Sequence, residues 1–190
     1  MNGPEVLRGG ALGIVGNSSQ NALVQFPEPT MAAPSRADVF LTYLDYYRTV
    51  IIDKVRALPV GELRHSRLPS GWTPLQLLLH LTHVERRWLE WGFEDPALPN
   101  PWGDQRNGRW HVDEGLSLDD IASALRERGS RTRQIVASHD LTDVGQPGER
   151  WDGATPATLE RVLFHLLQEY ARHAGHLDIV AELATGSTGE

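Results

Sequence analysis

Apolar residues recur at helical spacing through four long segments of this 190-residue chain. In the first segment, Val39, Tyr43, Tyr47 and Ile51 follow one another at intervals of four, so they share one face of a helix with about 3.6 residues per turn. Stretches rich in proline and glycine separate the segments, and none shows the alternation typical of a strand. This pattern predicts an all-α fold, a four-helix bundle with long inter-helix loops. The predicted helices cover about residues 35–58, 73–93, 117–138 and 155–183.

Short sequence signals mark the start of three of these helices. Thr73 is a favourable N-cap, a proline follows it, and Gln76 completes a capping box. Ser117 precedes two aspartates, which the helix dipole favours in a first turn. Thr155-Pro156 repeats the threonine–proline start and therefore predicts the beginning of the fourth helix.

The helical region has flanking segments of different character. Residues 1–34 contain scattered glycine, asparagine, serine and proline without a period, which predicts a flexible N-terminal tail. Residues 35–184 have the length of one bundle domain with its own core, and residues 185–190 form a C-terminal tail. A long loop at about residues 95–115 is a candidate for function, because long loops in compact domains often carry it.

Composition limits the functions open to this chain. A formal net charge of −7 argues against nucleic-acid binding, which uses clustered lysine and arginine. The absence of cysteine excludes disulfides, thiolate metal ligands and a protein thiol nucleophile. No apolar run approaches the ~20 residues of a membrane span, and the N-terminal stretch makes a poor signal peptide. We therefore expect a cytoplasmic protein with no membrane or nucleic-acid partner.

The run from His165 to His176 has the clearest chemical content. Within it, Glu169 and His173 are four residues apart and lie on consecutive turns of one helical face. A carboxylate and an imidazole so placed can bind one metal ion, and His80 on the second helix supplies a third candidate ligand. The same stripe is flanked by residues that we expect in the core: Val162, Leu166, Ile179 and Val180.

Two interpretations of these polar residues remain open from the pattern alone. His80, Glu169 and His173 form a metal centre, because a carboxylate directed into a bundle is costly unless it is paired or metal-bound. Alternatively, they form a hydrogen-bonded core network in an interaction module. His176 is a candidate for orienting a ligand or for a spare ligand, and His83, one turn from His80, is an alternative to it.

Two motifs carry a resemblance to a known family. They are Gly71-Trp-Thr-Pro-Leu-Gln-Leu-Leu-Leu-His80-Leu on the second predicted helix and Glu169-Tyr-Ala-Arg-His173-Ala-Gly-His176 on the fourth. Both resemble the DinB-like superfamily. The resemblance covers about residues 35–184 and is closest to the actinobacterial branch that includes the mycothiol-dependent maleylpyruvate isomerases. It implies a four-helix bundle with a divalent metal held by His80, Glu169 and His173. Many superfamily members have histidine at the position of Glu169, whereas the isomerase branch has glutamate.

The resemblance also implies a function for such a site. Two histidines and one carboxylate leave coordination positions open, which is typical of a catalytic metal. Zinc is the first expectation, with nickel or iron(II) as alternatives. A low-molecular-weight thiol such as mycothiol would then be the nucleophile, so that no catalytic side chain is assigned. We expect a metal-dependent thiol S-transferase or thiol-dependent isomerase that acts on a small electrophile. The alternative is a non-catalytic protein that binds a metal or small ligand in stress or detoxification.

The surroundings of the site are less well defined by the sequence. Loop residues either line its mouth, where arginine can receive a carboxylate, or pack the loop onto the bundle and keep it soluble, and we favour packing. These loop residues are Trp102, Arg106, Arg109, Trp110 and His111. The remaining tryptophans are expected in the core or in an interface: Trp72, Trp88, Trp91 and Trp151. An exposed apolar helix face would allow a homodimer.

Overall fold

A computed structural model describes residues 25–94 and 97–188 of the chain. Its long helices pack into a bundle, which confirms the all-α four-helix architecture. The first helix packs along the fourth and the second along the third, and the shared interior is filled mainly by leucine, isoleucine and valine. The helices are α1 (Arg36–Ala57), α2 (Pro74–Glu85), α3 (Leu118–Ser138) and α4 (Leu159–Thr185).

The first three helices begin close to the predicted starts, and at α2 and α3 the capping residues are the predicted ones. The side chain of Ser35 caps α1 by accepting a backbone N–H. At α2, Thr73 Oγ1 accepts from Gln76 N at 3.3 Å, and Gln76 Oε1 accepts from Thr73 N at 3.0 Å. Ser117 and Asp120 form the same reciprocal pair at α3. These bonds satisfy N–H groups that have no partner within the helix.

The start of α4 differs from the prediction at Thr155-Pro156. The helix begins at Leu159, and Thr158 caps it by accepting a backbone N–H of its first turn at 3.4 Å. The preceding segment stays extended because it pairs with a distant loop, in which Gly145 N donates to Ala157 O at 3.0 Å. This long-range pairing uses backbone groups that an earlier helix start would have needed, and the local sequence does not reveal it.

A π-helical segment, Arg86–Glu94, directly follows α2. The prediction placed the helix end near Phe93, so the helical length agrees, whereas the change of winding was not predicted. Arg87, Leu89 and Phe93 are buried by this segment. A π-helical turn inside a helix frequently accompanies a functional site, and here it carries Arg87 into the interior.

A short hairpin in the long loop corrects the prediction that the chain has no strand. β1 (Gln105–Arg106) pairs with β2 (Arg109–Trp110) in antiparallel register. Asn107 and Gly108 make the connection with φ values of 54° and 71°, as a tight two-residue hairpin turn requires. The strands are too short to produce an alternating pattern in the sequence.

Each helix contributes one polar residue to a cluster inside the bundle, which we call the Arg48–Glu85 cluster. Arg48 of α1 donates from Nε to Glu85 of α2 at 2.7 Å, and Thr132 of α3 donates to the same carboxylate at 3.4 Å. Tyr170 of α4 is fully buried beside the Arg48 guanidinium. Charge can be buried here because the carboxylate is paired and hydrogen-bonded.

The core face of α4 agrees with the prediction at three of its four apolar positions. Val162, Leu166 and Val180 are buried, but Ile179 is 52% exposed. Adjacent helical residues point about 100° apart, so the burial of Val180 turns Ile179 outward. The expectation that Ile179 is a core residue is therefore wrong.

The flanking segments are described only in part. Residues 1–24 of the predicted N-terminal tail, and residues 189–190, lie outside the described residues. Residues 25–34 form no helix or strand, and Phe26 within them contacts the rings of Tyr43 and Tyr46 on α1. None of the helices within the two described stretches is both long enough and apolar enough to cross a membrane.

Candidate metal centre

The structure brings together the three side chains proposed as metal ligands. His80 is on α2, and Glu169 and His173 are on consecutive turns of α4. Each offers one ligand atom, and these atoms lie within 4.8 Å of one another. Glu169 Oε2 is 3.3 Å from His173 Nε2, and the imidazole centroids of His80 and His173 are 5.2 Å apart. Metal–ligand bonds of about 2.0–2.2 Å would draw such atoms only slightly closer.

The protonation states of two of these groups suit a divalent cation. A hydrogen bond with His173 lowers the pKa of the Glu169 carboxyl against the opposing effect of burial, so the group is a carboxylate at neutral pH. Burial lowers the pKa of the His80 imidazole and outweighs the opposing bond to Asp104. His80 is therefore neutral and has a lone pair to offer. Neutral imidazole and carboxylate are common ligands of zinc and of related divalent metals.

The His80 ring is held from behind by Asp104, a fully buried residue just before β1. Asp104 Oδ2 is 2.9 Å from His80 Nδ1, and Arg87 donates to both Asp104 oxygens, at 2.7 and 3.2 Å. Burial tends to raise the pKa of Asp104, but the bonds from His80 and Arg87 lower it. A carboxylate can only accept, so His80 Nδ1 carries the proton and Nε2 has the free lone pair.

His173 is the most enclosed of the three candidate ligands. Its residue is only 7% exposed, and its Nδ1 is buried without a hydrogen-bond partner in the part of the chain that the structure describes. Buried polar atoms are rarely left unpaired, and an unpaired one commonly marks the place of an ion or ordered water. The ring nitrogen that faces Glu169 is Nε2, and the set of two imidazoles and one carboxylate fits a bound divalent metal.

Three further histidines lie nearby with different surroundings. His165 Nε2 is 3.6 Å from Glu169 Oε1, so this carboxylate stands between two imidazoles on α4. The His176 ring is 5.4 Å from that of His173, beside the cluster rather than in it. His83, the alternative to His80, does not join the cluster among the described residues and packs closely against Gly103 instead.

A comparison with protein families identifies the group to which this arrangement belongs. The model of the mycothiol-S-transferase family matches residues 39–186, a span that includes α2, most of α1, and the candidate ligands on α4. The chain belongs to the mycothiol-S-transferase family. This agrees with the resemblance to the DinB-like superfamily that the motifs of α2 and α4 indicated. A search of curated proteins found no significant match.

In this family member, Trp110 of β2 covers the candidate metal centre. Its indole stacks on the His80 ring with a centroid distance of 4.1 Å and an interplanar angle of 23°, and its centroid is 5.8 Å from that of His173. The hairpin is fixed to α2 because Gln76 Nε2 donates to the Trp110 carbonyl oxygen at 3.0 Å. Trp110 thus lies at the site, contrary to the expectation that the loop aromatics only pack.

The other loop residues have separate roles. Arg106 is exposed, and its guanidinium donates to Asp113 Oδ1 at 2.8 Å. His111 is half-buried, and its Nε2 lies 3.0 Å from the same oxygen. Trp102 is 46% exposed and lies over the guanidinium of Arg87, 4.4 Å from ring centroid to Cζ. The contacts of these three residues are those of a loop that packs, as expected.

A cleft adjoins the centre on the side of Trp110. It has a volume of about 640 Å³ and is lined by residues 69–72, Gln76, Arg109 and Trp110, a size typical of small-molecule sites. Trp72 was expected in the core or an interface; it is half-buried and turns part of its indole toward this cleft. Its ring centroid is 6.2 Å from that of His176 and 6.4 Å from that of Trp110.

Sequence reasoning missed Asp104 and Arg87 in this member of the mycothiol-S-transferase family. Asp104 is 24 residues beyond His80 in an irregular loop, so no helical period connects them. Arg87 follows Glu85 and Arg86 in a charged run that does not indicate burial, and it is buried within the π-helical segment. The loop length was the one signal that pointed toward this region.

Proposed function

We propose that this protein is a metal-dependent mycothiol S-transferase that joins the thiol to a small electrophile. Its membership of the mycothiol-S-transferase family supports S-transferase activity. The convergence of His80, Glu169 and His173 is the observation that supports metal dependence. Zinc is the metal that we propose first, with nickel or iron(II) as alternatives, because nitrogen and oxygen ligands do not select among them.

The chain itself has no cysteine, so the reacting sulfur must come from a small thiol. A divalent metal bound at the centre would supply positive charge that lowers the pKa of that thiol and raises the fraction of thiolate at neutral pH. Glu169 contributes one negative charge to the centre, and the neutral His80 contributes an uncharged imidazole nitrogen. Asp104 keeps the Nδ1 proton on His80 and thereby leaves Nε2 available.

Metal analysis of the purified, tag-free protein tests the centre. We expect about one divalent metal per chain, as a mononuclear three-ligand site requires, and its loss in His80→Ala, Glu169→Ala and His173→Ala. His139→Ala is the matched control, since His139 lies at the end of α3, bonded to the Ile135 carbonyl oxygen at 3.0 Å. Equal metal content in all four variants would refute the assigned ligands.

Turnover separates an enzyme from a binding protein. The metal-loaded protein, mycothiol and an activated aryl chloride should give the thioether and chloride faster than mycothiol alone. Stoichiometric metal without any such acceleration across several electrophiles would favour the non-catalytic alternative, a metal or small-ligand binding protein. Absence of metal even after reconstitution would leave the cluster as a hydrogen-bonded network and would withdraw the proposal.

A further inference from the structure

The cleft beside Trp110 contains a single formal charge among its described lining residues. That charge is the guanidinium of Arg109, and no aspartate or glutamate lines the cleft. The whole chain carries a net charge of −7, so the charge of the cleft is opposite in sign to that of the chain. A cation at a concave site favours an anionic ligand, most effectively a planar carboxylate that can accept two parallel hydrogen bonds.

Arg109 has no ion-pair partner among the described residues, whereas Arg106, opposite it on the hairpin, has one. Arg106 and Arg109 are Cα partners across the hairpin. Arg106 forms an ion pair with Asp113 at 2.8 Å, and it is not part of the cleft wall. Arg109 is exposed and forms no ion pair or side-chain hydrogen bond with any residue that the structure describes. Its charge is therefore available to a ligand in the cleft.

Two indoles give the same cleft an affinity for flat rings. Trp72 and Trp110 both line it, with centroids 6.4 Å apart and planes tilted by 54°. Aromatic side chains bind ring-bearing ligands by offset stacking or edge contacts at centroid distances of about 4.5–7 Å. Trp110 also stacks on His80, so one indole belongs both to the wall of the cleft and to the surroundings of the candidate metal centre.

We propose that this cleft binds the electrophile and that Arg109 selects planar electrophiles that carry a carboxylate. The inference rests on the proposed S-transferase function, which it deepens by naming the class of the second substrate. In the reaction with an aryl chloride, sulfur forms a bond to the ring carbon that holds chlorine. The carbon–chlorine bond breaks, chloride leaves with the bonding electron pair, and the thiol proton passes to solvent.

A matched pair of electrophiles tests this selectivity. The substrates are 4-chloro-3,5-dinitrobenzoate and 4-chloro-3,5-dinitrobenzamide, which share the leaving group and the ring but differ in charge. With the metal-loaded protein and mycothiol, kcat/KM corrected for the uncatalysed reaction should favour the carboxylate. In Arg109→Gln this preference should fall about tenfold, mainly through KM of the carboxylate, as the loss of one charge-assisted contact predicts. Arg106→Gln, on the same hairpin, should keep the wild-type preference.

A binding measurement keeps the inference separate from the proposed function. Calorimetry with 3,5-dinitrobenzoate and 3,5-dinitrobenzamide, which carry no leaving group, needs neither thiol nor turnover. Tighter binding of the carboxylate that is lost in Arg109→Gln and kept in Arg106→Gln would support the anionic cleft, even if no thioether formed and the transferase proposal failed. Equal binding of the two compounds to the wild-type protein, or the same preference in both variants, would overturn it.

Discussion

The position of Asp104 behind His80 makes it a positioning residue for the candidate metal centre. Replacing it with asparagine removes the charge that fixes the His80 tautomer, while the side chain keeps its shape. We expect Asp104→Asn to bind zinc about 10–100-fold more weakly, as is typical when the partner of a metal-bound histidine is changed. Competition with a chromophoric chelator measures this affinity at fixed pH.

Asp113→Asn is the control for that variant, because it removes an exposed carboxylate of the same loop. Nitrogen NMR of the metal-free proteins adds a readout that does not depend on activity. The wild type should show His80 protonated on Nδ1, and Asp104→Asn should show a mixture of tautomers. Unchanged zinc affinity together with an unchanged tautomer would show that Asp104 only fastens the loop.

At the residue scale, the sequence predicted the convergence of His80, Glu169 and His173 but not their surroundings. The proximity of Glu169 and His173 follows from their spacing along a single helix. It does not depend on how the helices pack in the bundle. The carboxylate of Asp104 reaches His80 through the tertiary fold alone. The same is true of Trp110, whose contact with His80 depends on a hairpin too short to leave a pattern.

At the scale of elements, the start of α2 sets the direction of the helix that carries His80. The reciprocal bonds between Thr73 and Gln76 satisfy two backbone N–H groups, those of Thr73 and of Gln76. Thr73→Ala should lower the free energy of unfolding by about 1 kcal/mol, because an N-cap side chain is lost. Urea denaturation of the metal-free protein measures the change.

A threonine-to-alanine substitution inside another helix distinguishes the loss of the cap from the general effect of replacing threonine. Thr42 lies within α1, is exposed, and donates to the Asp38 carbonyl oxygen at 2.7 Å. Thr42→Ala should change the free energy of unfolding by less than about 0.5 kcal/mol. If Thr42→Ala destabilised as much as Thr73→Ala, the capping box would not be what stabilises the start of α2.

Helix starts were predicted from local caps at Thr73 and Ser117. The start of α4 was not, because Ala157 pairs with a loop more than ten residues earlier in the chain. The threonine–proline signal at residue 155 is local, so it does not reflect this pairing with a distant loop. The π-helical segment was hidden for a similar reason, since its apolar residues also fit an ordinary helix.

For the molecule as a whole, the Arg48–Glu85 cluster connects all four helices at one buried point. Glu85→Ala would leave the Arg48 guanidinium buried without its main partner, and we expect a loss of about 3–5 kcal/mol in the free energy of unfolding. The double variant Arg48→Met/Glu85→Leu removes both charges and should lose much less. Chemical denaturation of both proteins provides the comparison, and equal losses would contradict an electrostatic origin.

The metal-free protein should also become less stable as the pH falls from neutral toward 5. Burial lowers the pKa of four histidines, His80, His83, His165 and His176, below the usual value of 6.5. As the pH falls through about 6.5, the unfolded chain therefore takes up protons before the folded one, which favours unfolding. Melting temperatures at pH 7.5, 6.0 and 5.0 should decrease in that order.

Carboxylates do not account for this change in the same pH range. The pKa values of Asp104 and Glu169 are lowered from their ordinary values of 3.8 and 4.5. The stability that they contribute is present above the unfolded pKa and disappears only as the pH falls below about 4.5. A melting temperature that stayed constant from pH 7.5 to 5.0 would therefore contradict the histidine assignment specifically.

The hairpin region, residues 104–110, lets one short piece of chain affect two properties at once. It contains Asp104, which orients His80, and also Arg109 and Trp110 of the cleft. The helices that carry the ligands can stay unchanged while this piece diverges between relatives. A descendant that acquired a new electrophile by altering the hairpin would inherit a shifted metal affinity with it, so the two traits would evolve as a pair.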